Sequence, residues 1–482
     1  MLSLDTVINS STDKIGFFRF KKFDDNNYII TNDAGKFQFL SNLEFNDFIS
    51  GNFDKLSCYG DLEKKGFIKG DSYVDKMIGS VSQKNHFVGV GPTLHMIVVT
   101  LRCNHTCKYC HAAVAPMTAT EFDMSIETAK KVVDAIFYTN SPSLTIEFQG
   151  GEPLVNYDVV QFIVNYAKEK ALYLQKDLSM VMVSNLTLMT EDKLIWLLDN
   201  GVDICTSLDG DKVTHNSNRI WREGDSFEKV TYWMKRLDEE KQKRNMGRLG
   251  ALLTVTKETL PKYKEIIDTY VELGLPGIFL RWLNPYGFAS AYYDKLSYED
   301  EDWIEFYKKS LDYIIDINKS GKDFKEVITS VYLEKIFKSI DPAFMDIRSP
   351  SGIAIGGVAY NYDGKVYASD ESRMLGRMGI DNFLMTEVFD DGKETYLNMM
   401  NSDIAKTAIV SSTLDGLPGY NDHAYKPYLG VDIIHNFKTR GSLYVPLVND
   451  KKVKLQIAII DYIFEKLRDP ASKEVLMKWI QN

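Results

Sequence analysis

Leu101-Arg-Cys-Asn-His-Thr-Cys-Lys-Tyr-Cys-His111 holds three of the five cysteines in the chain. Cys103, Cys107 and Cys110 are spaced C-x3-C-x2-C. The run before them, His95-Met-Ile-Val-Val-Thr-Leu101, is short, apolar and rich in β-branched residues, which predicts a buried strand. The three thiols then sit on a loop leaving the carboxyl end of that strand. Clustered thiols in a chain otherwise poor in cysteine point to a metal rather than to disulfides. Soft sulfur ligands select zinc, copper(I) or iron–sulfur clusters. A structural zinc site needs four closed ligands, and the fourth would be His105, His111 or a remote residue. Three thiolates on a cubane would hold three irons and leave the fourth open. On this stretch alone both readings stand, and so does chance clustering.

A second stretch narrows the choice. Ser143-Leu-Thr-Ile-Glu-Phe-Gln149 predicts another strand, and Gly150-Gly151-Glu152-Pro153 follows it directly. Taken alone, a Gly-Gly turn with a proline stop is ordinary punctuation. Following the cysteine motif at this distance, with a strand before each, the pair resembles the radical S-adenosylmethionine (radical SAM) superfamily. The resemblance implies one [4Fe-4S] cluster on Cys103, Cys107 and Cys110, with S-adenosylmethionine chelated to the open iron. It also implies that the Gly150-Gly151-Glu152-Pro153 turn contacts the amino end of that cofactor. Tyr109 matches the aromatic residue that precedes the last cysteine in the family.

Composition sets the outer limits. A chain of 482 residues is long for one domain, so two to four are expected. Hydrophobic content of 44% and charged content of 26% are those of an ordinary globular protein. The net charge of −10 offers no basic footprint for nucleic acid. No apolar run reaches the length of a membrane span. The start, Met1-Leu-Ser-Leu-Asp-Thr6, lacks the basic region and apolar core of a signal peptide. Five cysteines, three of them clustered, make no disulfide framework, and a reducing cytoplasm is the expected compartment.

Residues 1–88 read as a small α+β, winged-helix-like module. Short strands are predicted over Ile15–Phe23, Tyr28–Thr31 and Lys36–Leu40. Ser41-Asn-Leu-Glu44 has the form of a capping box, opening a helix over Leu43–Ser50, with another over Tyr59–Lys65. In peptide-modifying enzymes such a module often binds a leader peptide by strand addition; the plain alternative is a domain that braces the barrel. Residues 89–290 alternate strand and helix six times. Further strands are predicted over Leu178–Val183, Val202–Leu208, Leu249–Val255 and Gly277–Leu283, and helices over Ser125–Tyr138, Tyr157–Leu174 and Ser226–Arg244. Short apolar strands joined by helices imply a parallel sheet with right-handed crossovers, and a partial (β/α)6 barrel is the fold the resemblance implies. Chemistry in such a barrel gathers at the carboxyl ends of the strands. Ser184-Asn185 and Ser207 stand at those ends and are suited to hydrogen-bond a ribose or carboxylate, although such residues are also common turn starters and caps. Arg281 lies near the end of the sixth strand. Arg219 closes a turn like the arginine-bearing turn of relatives and is suited to clamp a carboxylate, or to sit at the surface. Cys205, inside a strand, and the isolated Cys58 read as small core residues.

Residues 291–349 predict a helical connection (Glu299–Asn318, Phe324–Ser339), and residues 350–482 a smaller unit. Val358-Ala-Tyr-Asn-Tyr-Asp-Gly-Lys-Val-Tyr-Ala368 is a hairpin with Asp363-Gly364 at its turn. The flanking residues resemble the SPASM extension of peptide-maturing radical SAM enzymes, and are closest to the maturases of the His-Xaa-Ser repeat system. That extension carries auxiliary clusters on cysteines in those relatives. Here Ser351, Ser369, Leu429 and Asp432 stand where cysteines are expected, with Thr413, Tyr420 and His423 in a looser register. No cysteine follows Cys205. The expectation is a radical SAM enzyme with one cluster and a folded, metal-free cap. It takes a peptide or small protein, by way of a leader peptide or without one. An external reductant of the flavodoxin or ferredoxin kind is implied, with no nucleic-acid or membrane partner. A small-molecule substrate, and a cluster-bearing protein without turnover, are the other readings. The residue that meets the substrate is not legible in the sequence.

Overall fold

The computed structural model describes residues 12–481, so the amino-terminal stretch read above for a signal peptide lies outside the described residues. Turn-rich sequence first breaks the chain into three short strands, β1 (Arg19–Lys22), β2 (Asn27–Thr31) and β3 (Phe37–Ser41). They form an antiparallel sheet in that order. The first is shorter than expected, because Ile15 makes only an isolated bridge to Ile68. Ser41 closes the expected capping box: the Glu44 N–H donates to its Oγ, and its own N–H donates to the Glu44 carboxylate. Helix α1 (Asn42–Ile49) follows, then α2 (Tyr59–Lys64) and α3 (Tyr73–Lys84). The last was not expected. Val74, Met77, Ile78 and Val81 stand at helical spacing and were passed over in the sequence, and the helix buries none of its residues. The module has its own small core of Ile30, Leu40, Phe45, Phe48, Leu62 and Phe67. It is also fastened to the carboxyl-terminal segment, with Lys21 paired to Asp461, the Tyr428 hydroxyl donating to the Gly35 carbonyl at 3.0 Å, and Phe37 against Phe464.

The barrel comprises β4 (Leu94–Thr100), β5 (His105–Cys107), α4 (Ile126–Ile136), β6 (Ser143–Gly150), α5 (Tyr157–Leu174), β7 (Asp177–Val183) and α6 (Glu191–Asp199). It continues with β8 (Val202–Ser207), α7 (Lys212–Asn218), β9 (Arg219–Trp221), α8 (Ser226–Lys243), β10 (Ala251–Thr254), α9 (Tyr263–Glu272) and β11 (Gly277–Arg281). Strands β4, β6, β7, β8, β10 and β11 lie side by side in sequence order, all parallel. Strand periodicity divides their residues. Ile97, Ile146, Met182, Ile204, Leu253 and Leu280 are buried beneath the helices, and their neighbours along each strand face the lumen.

Short helices α10 (Gly287–Ala291) and α11 (Tyr293–Leu296) lead to α12 (Asp300–Lys319), β12 (Lys325–Glu326) and α13 (Val327–Phe337). The helix expected from Phe324 starts later because Lys325-Glu326 first pair with β11. Glu326 then caps α13, accepting from the Ile328 and Thr329 N–H groups. The hairpin appears as β13 (Gly357–Tyr360) and β14 (Lys365–Tyr367), and Gly364 takes the φ of +85° that its turn requires. It does not stand apart from the barrel: β13 pairs in parallel with the outer edge of β4, from Gly357↔Leu94 to Tyr360↔Ile97. After α14 (Asp370–Arg377), β15 (Leu384–Glu387) completes a ten-stranded sheet, β12-β11-β10-β8-β7-β6-β4-β13-β14-β15. Helices α15 (Gly392–Asn401), α16 (Asp403–Ser412), α17 (Ile433–Arg440), α18 (Lys451–Arg468) and α19 (Pro470–Lys478) finish the chain. On α18, Leu455, Ile459, Tyr462, Ile463 and Leu467 recur at helical spacing and are buried. One core runs from the barrel helices through to α18 and α19. Among the described residues, no helix is long and apolar enough to cross a membrane.

Candidate functional site

The six parallel strands enclose a cavity of about 600 Å³. Alternate residues line it: Leu94 and Met96 from β4, Glu147 and Gln149 from β6, Val181 and Val183 from β7, Cys205 and Ser207 from β8, Leu252 and Thr254 from β10, Phe279 and Arg281 from β11. Cys103, Cys107 and Cys110 enter the same cavity from the loop after β4. That loop is pinned on two sides. Strand β5 pairs with β9, placing Cys107 opposite Arg219, and the Cys110 carbonyl accepts from the Phe288 N–H at 2.8 Å. Burial, followed by the neighbouring thiols, pushes the Cys103 thiol well up; burial also pushes up Cys110, and it takes Cys107 to about 12 against the pull of Arg219. As they stand the thiols hold their protons, and metal binding has to displace them. A closed zinc site would gather its sulfurs within about 4 Å of one another, given Zn–S bonds of about 2.3 Å. Among the described residues, no three His, Cys, Asp or Glu side chains are gathered to hold a single ion.

The two-glycine turn packs directly on the start of the cysteine loop. A Cβ on Gly150 would come 2.0 Å from the Thr100 carbonyl oxygen, and one on Gly151 2.3 Å from that of Arg102. The Gly151 N–H donates to the Thr100 carbonyl and the Glu152 N–H to that of Arg102, both at 2.9 Å. Glu152 is wholly buried. Its carboxylate accepts from the Ser184 hydroxyl (2.8 Å), the Asn185 N–H (2.7 Å) and the Leu154 N–H (3.1 Å). Burial raises its pKa and these three bonds hold the rise down. Glu152 thus ties the turn to the end of β7, while Gly150 and Gly151 line the cavity. Pro153 is buried at the start of the short 3-10 turn that leads into α5.

A second ring of polar contacts holds the cysteine loop from behind. The Tyr109 hydroxyl donates to Asp209 at 2.5 Å, Arg219 pairs with Asp209 at 3.3 Å, and the Arg219 guanidinium lies 5.4 Å from the Tyr109 ring centre. Arg219 is therefore neither a surface residue nor unpaired. Asn185 donates to the Asn104 side-chain oxygen at 3.0 Å and lies 3.8 Å from the Cys103 sulfur. His105 and His215 meet across the Ser226 hydroxyl, at 2.9 and 3.0 Å. Burial drives both imidazoles down to about 3, so they are neutral hydrogen-bonding links.

Cys103, Cys107, Cys110, Tyr109, Gly150, Gly151, Ser184, Asn185, Ser207 and Arg219 all meet at this cavity, whereas Glu152 and Pro153 stand just behind it. Cys205, expected in the core, is half-buried on the lumen face of β8; the strand period places it there because Ile204 takes the buried face. Cys58 fits its expected place, packed against the small core of the amino-terminal module. Sequence reading missed Glu147 and Asp346 and gave Glu371 no role, yet all three line the cavity. Glu147 was recoverable, being the charged residue at an alternate position of a strand already identified.

Residues 97–269 match the family model described as the Radical SAM superfamily. Among curated proteins the chain is similar to an uncharacterized protein of Methanocaldococcus jannaschii, at 26% identity over 197 residues, 40% of this chain and 63% of that protein. It is also similar to the radical SAM cyclopropyl synthase TigE of Paramaledivibacter caminithermalis, at 26% identity over 236 residues, 45% of this chain and 46% of the relative. The chain thus spans less than two thirds of the length of either curated relative. Among solved structures it is similar in fold to anSMEcpe with bound AdoMet (TM-score 0.63, 17% identity, 79% of this chain and 100% of that one). It is likewise similar to Streptococcus suis SuiB bound to S-adenosylmethionine (TM-score 0.52, 14% identity, 89% and 97%). Residues 97–269 form a radical SAM domain, of the superfamily that works with a [4Fe-4S] cluster and S-adenosylmethionine.

Proposed function

We propose that this protein is a radical SAM enzyme acting on a peptide or small protein. The observation that carries the reading is the meeting of three soft thiols and the Gly150-Gly151 cradle on one lumen at the carboxyl ends of parallel strands. Those residues fit the cofactor pair. Cys103, Cys107 and Cys110 would hold the cluster, and Gly150, Gly151, Ser184, Asn185, Ser207 and Tyr109 would surround S-adenosylmethionine. When bound and reduced, that pair supplies a hydrogen-abstracting 5′-deoxyadenosyl radical, and hard radical chemistry of this kind belongs to the cofactor. The chain's own work is positional. Asp209, Tyr109 and Arg219 fix the cysteine loop, Glu152 fixes the turn against β7, and the carboxyl-terminal segment walls the lumen with Asp346, Asp370, Glu371 and Met374. Enclosure excludes water and holds the substrate in a reactive pose.

A peptide substrate is supported by the neighbours' own complexes, anSMEcpe with a Kp18Cys peptide and SuiB with the precursor peptide SuiA. The likeness of the flanking residues to the His-Xaa-Ser maturases and the reading of residues 350–482 as a SPASM-like cap without auxiliary clusters belong to the same proposal. So do leader binding by residues 1–88, a flavodoxin or ferredoxin as reductant, and a cytoplasmic setting. The test is anaerobic reconstitution followed by metal analysis. About four irons per chain are expected, and almost none in the Cys103→Ala, Cys107→Ala, Cys110→Ala triple variant. Eight irons would overturn the metal-free cap, and zinc without iron would overturn the radical reading.

A further inference from the structure

Among the described residues, two cations line the cavity, Arg219 and Arg281. Arg219, which the sequence offered as a carboxylate clamp, is spent on the buried Asp209. The guanidinium left over is that of Arg281. It makes no hydrogen bond and no ion pair with any described residue, and it lies over the Phe279 ring, 5.9 Å from its centre, on the lumen face of β11. Four acidic residues share the lumen, and none pairs with it. Glu147 accepts from the Gln149 amide, Asp370 pairs with Arg373, and Asp346 and Glu371 stand on the carboxyl-terminal wall. A guanidinium presents five N–H donors in a planar fork and accepts nothing.

A second unpartnered group stands beside it. Thr254 is the register partner of Arg281 across β10 and β11, and both side chains take the lumen face. Neighbouring strands lie about 4.8 Å apart, so hydroxyl and guanidinium open onto one point of the wall. Thr254 is 9% exposed, and its hydroxyl has no hydrogen-bond partner among the described residues. The next register pair on the same face, Leu252 and Phe279, makes an apolar floor below them. Buried polar groups are almost always satisfied, so donors left open side by side mark where an acceptor is missing. A carboxylate brings acceptors only, and its two oxygens match the guanidinium fork. On the reading above, the cofactor's own carboxylate is held elsewhere, because it shares a carbon with the amino group given to the Gly150-Gly151 turn. From that turn on β6 the sheet passes β7, β8 and β10 before β11, four spacings or about 19 Å along the wall.

Resting on the peptide reading above, we propose that the Arg281 guanidinium and the Thr254 hydroxyl form a carboxylate site, which takes an acidic side chain or the carboxyl terminus of the substrate peptide and so orients it in the lumen. The test uses protein reconstituted with its cluster and saturated with S-adenosylmethionine, without reductant. Three tripeptides are titrated calorimetrically: Ac-Ala-Glu-Ala-NH2, Ac-Ala-Gln-Ala-OH and the neutral Ac-Ala-Gln-Ala-NH2. At least one of the first two is expected to bind tenfold or more tightly than the neutral peptide, about 1.4 kcal/mol. A gain confined to the first marks a side-chain carboxylate, and one confined to the second marks the carboxyl terminus. Arg281→Gln should erase the gain. Arg281→Lys should keep only part of it, because an ammonium lacks the fork, and Thr254→Val should reduce it severalfold. Each variant is compared only if its melting temperature stays within a few degrees of the parent, and Arg281→Lys with Thr254→Val carry the test if Arg281→Gln does not. Equal affinity for the three peptides, binding of none, or a gain that survives these substitutions would overturn the proposal. So would loss of S-adenosylmethionine binding in Arg281→Gln, which would give the residue to the cofactor. Iron content and S-adenosylmethionine binding of the parent, measured first, separate the failures: if either is absent the radical reading falls and the site with it, and if both are present only the carboxylate site falls.

Discussion

Replacing Glu152 by alanine tests the argument that this carboxylate is a tie between two strand ends. Removing it strands three donors in a site closed to water, the Ser184 hydroxyl and the Asn185 and Leu154 N–H groups. A buried donor left unsatisfied costs about 1–3 kcal/mol. Part of that total is returned, because alanine also removes a buried carboxyl whose ionisation burial opposes. The net loss expected is about 2–4 kcal/mol. The assay is urea unfolding of the metal-free, reduced protein, read as a lower midpoint at unchanged slope. Glu152→Gln should fall between parent and alanine, since it keeps an acceptor but brings an amide donor into the ring of donors. In loaded protein, S-adenosylmethionine binding should weaken while iron content holds, because the backbone bond from residue 152 to the Arg102 carbonyl survives either substitution. An alanine variant within about 0.5 kcal/mol of the parent, the ordinary scatter of surface substitutions, would refute the tie.

Two further outcomes are expected. Glu326 is wholly buried and pushed up to about 7 by that burial. Its folded pKa lies above the unfolded value of about 4.3, so its contribution is fully present below that value and is lost as pH rises through about 7, by at most about 4 kcal/mol. Glu326→Gln should flatten the parent's fall in stability between pH 5 and pH 8, and an unchanged pH profile would rule this out. Truncation before Pro350 should yield aggregating protein that no longer modifies its substrate, because it uncovers the β4 edge from Leu94 to Ile97 and strips apolar cover from the core. Light scattering from a soluble, monodisperse fragment would count against it.

The sequence was most informative where one period ran long enough to be seen. Helix α5 occupies its expected span, Tyr157–Leu174, because its buried valines, isoleucine and alanines repeat at helical spacing. Ser41 and Asp363-Gly364 were legible because capping and turn chemistry are local. What stayed hidden depends on contacts between distant residues. Strand β9 is three residues long and exists because it pairs with the cysteine loop. The joining of β13 to β4 brings residues 357 and 94 together, and no local signal reports it. The partnership of Asp209 with Tyr109 and Arg219 is of the same kind, and so is the place of Asp346, which follows no regular element. For Cys205 the strand was correctly read and the face was not, since alternation gives two faces and only packing decides which is the lumen.

The carboxyl-terminal segment raises a question that its hydrogen bonds answer. Each polar residue standing where a cysteine was expected now has a local task. The Ser369 Oγ accepts from the Ser372 N–H and caps α14, and Asp432 caps α17 through the His435 N–H while pairing with Lys452. Ser351 accepts from the Ile353 N–H, and the Thr413 hydroxyl donates to the Ile409 carbonyl. His423 accepts from the Tyr425 N–H through its Nδ1. The Tyr420 hydroxyl donates to Asp450, which itself caps α18, and Leu429 belongs to the core. A cap contributes about 1 kcal/mol, so two or three such contacts supply a useful part of the few kcal/mol by which a domain is stable. A residue that caps a helix holds its side chain along its own chain, whereas a cluster ligand must turn toward a shared centre. The segment is held by helix caps, the buried ion pairs Lys452–Asp432 and Arg373–Asp370, and the β13–β4 pairing, which keeps its wall in place against the lumen.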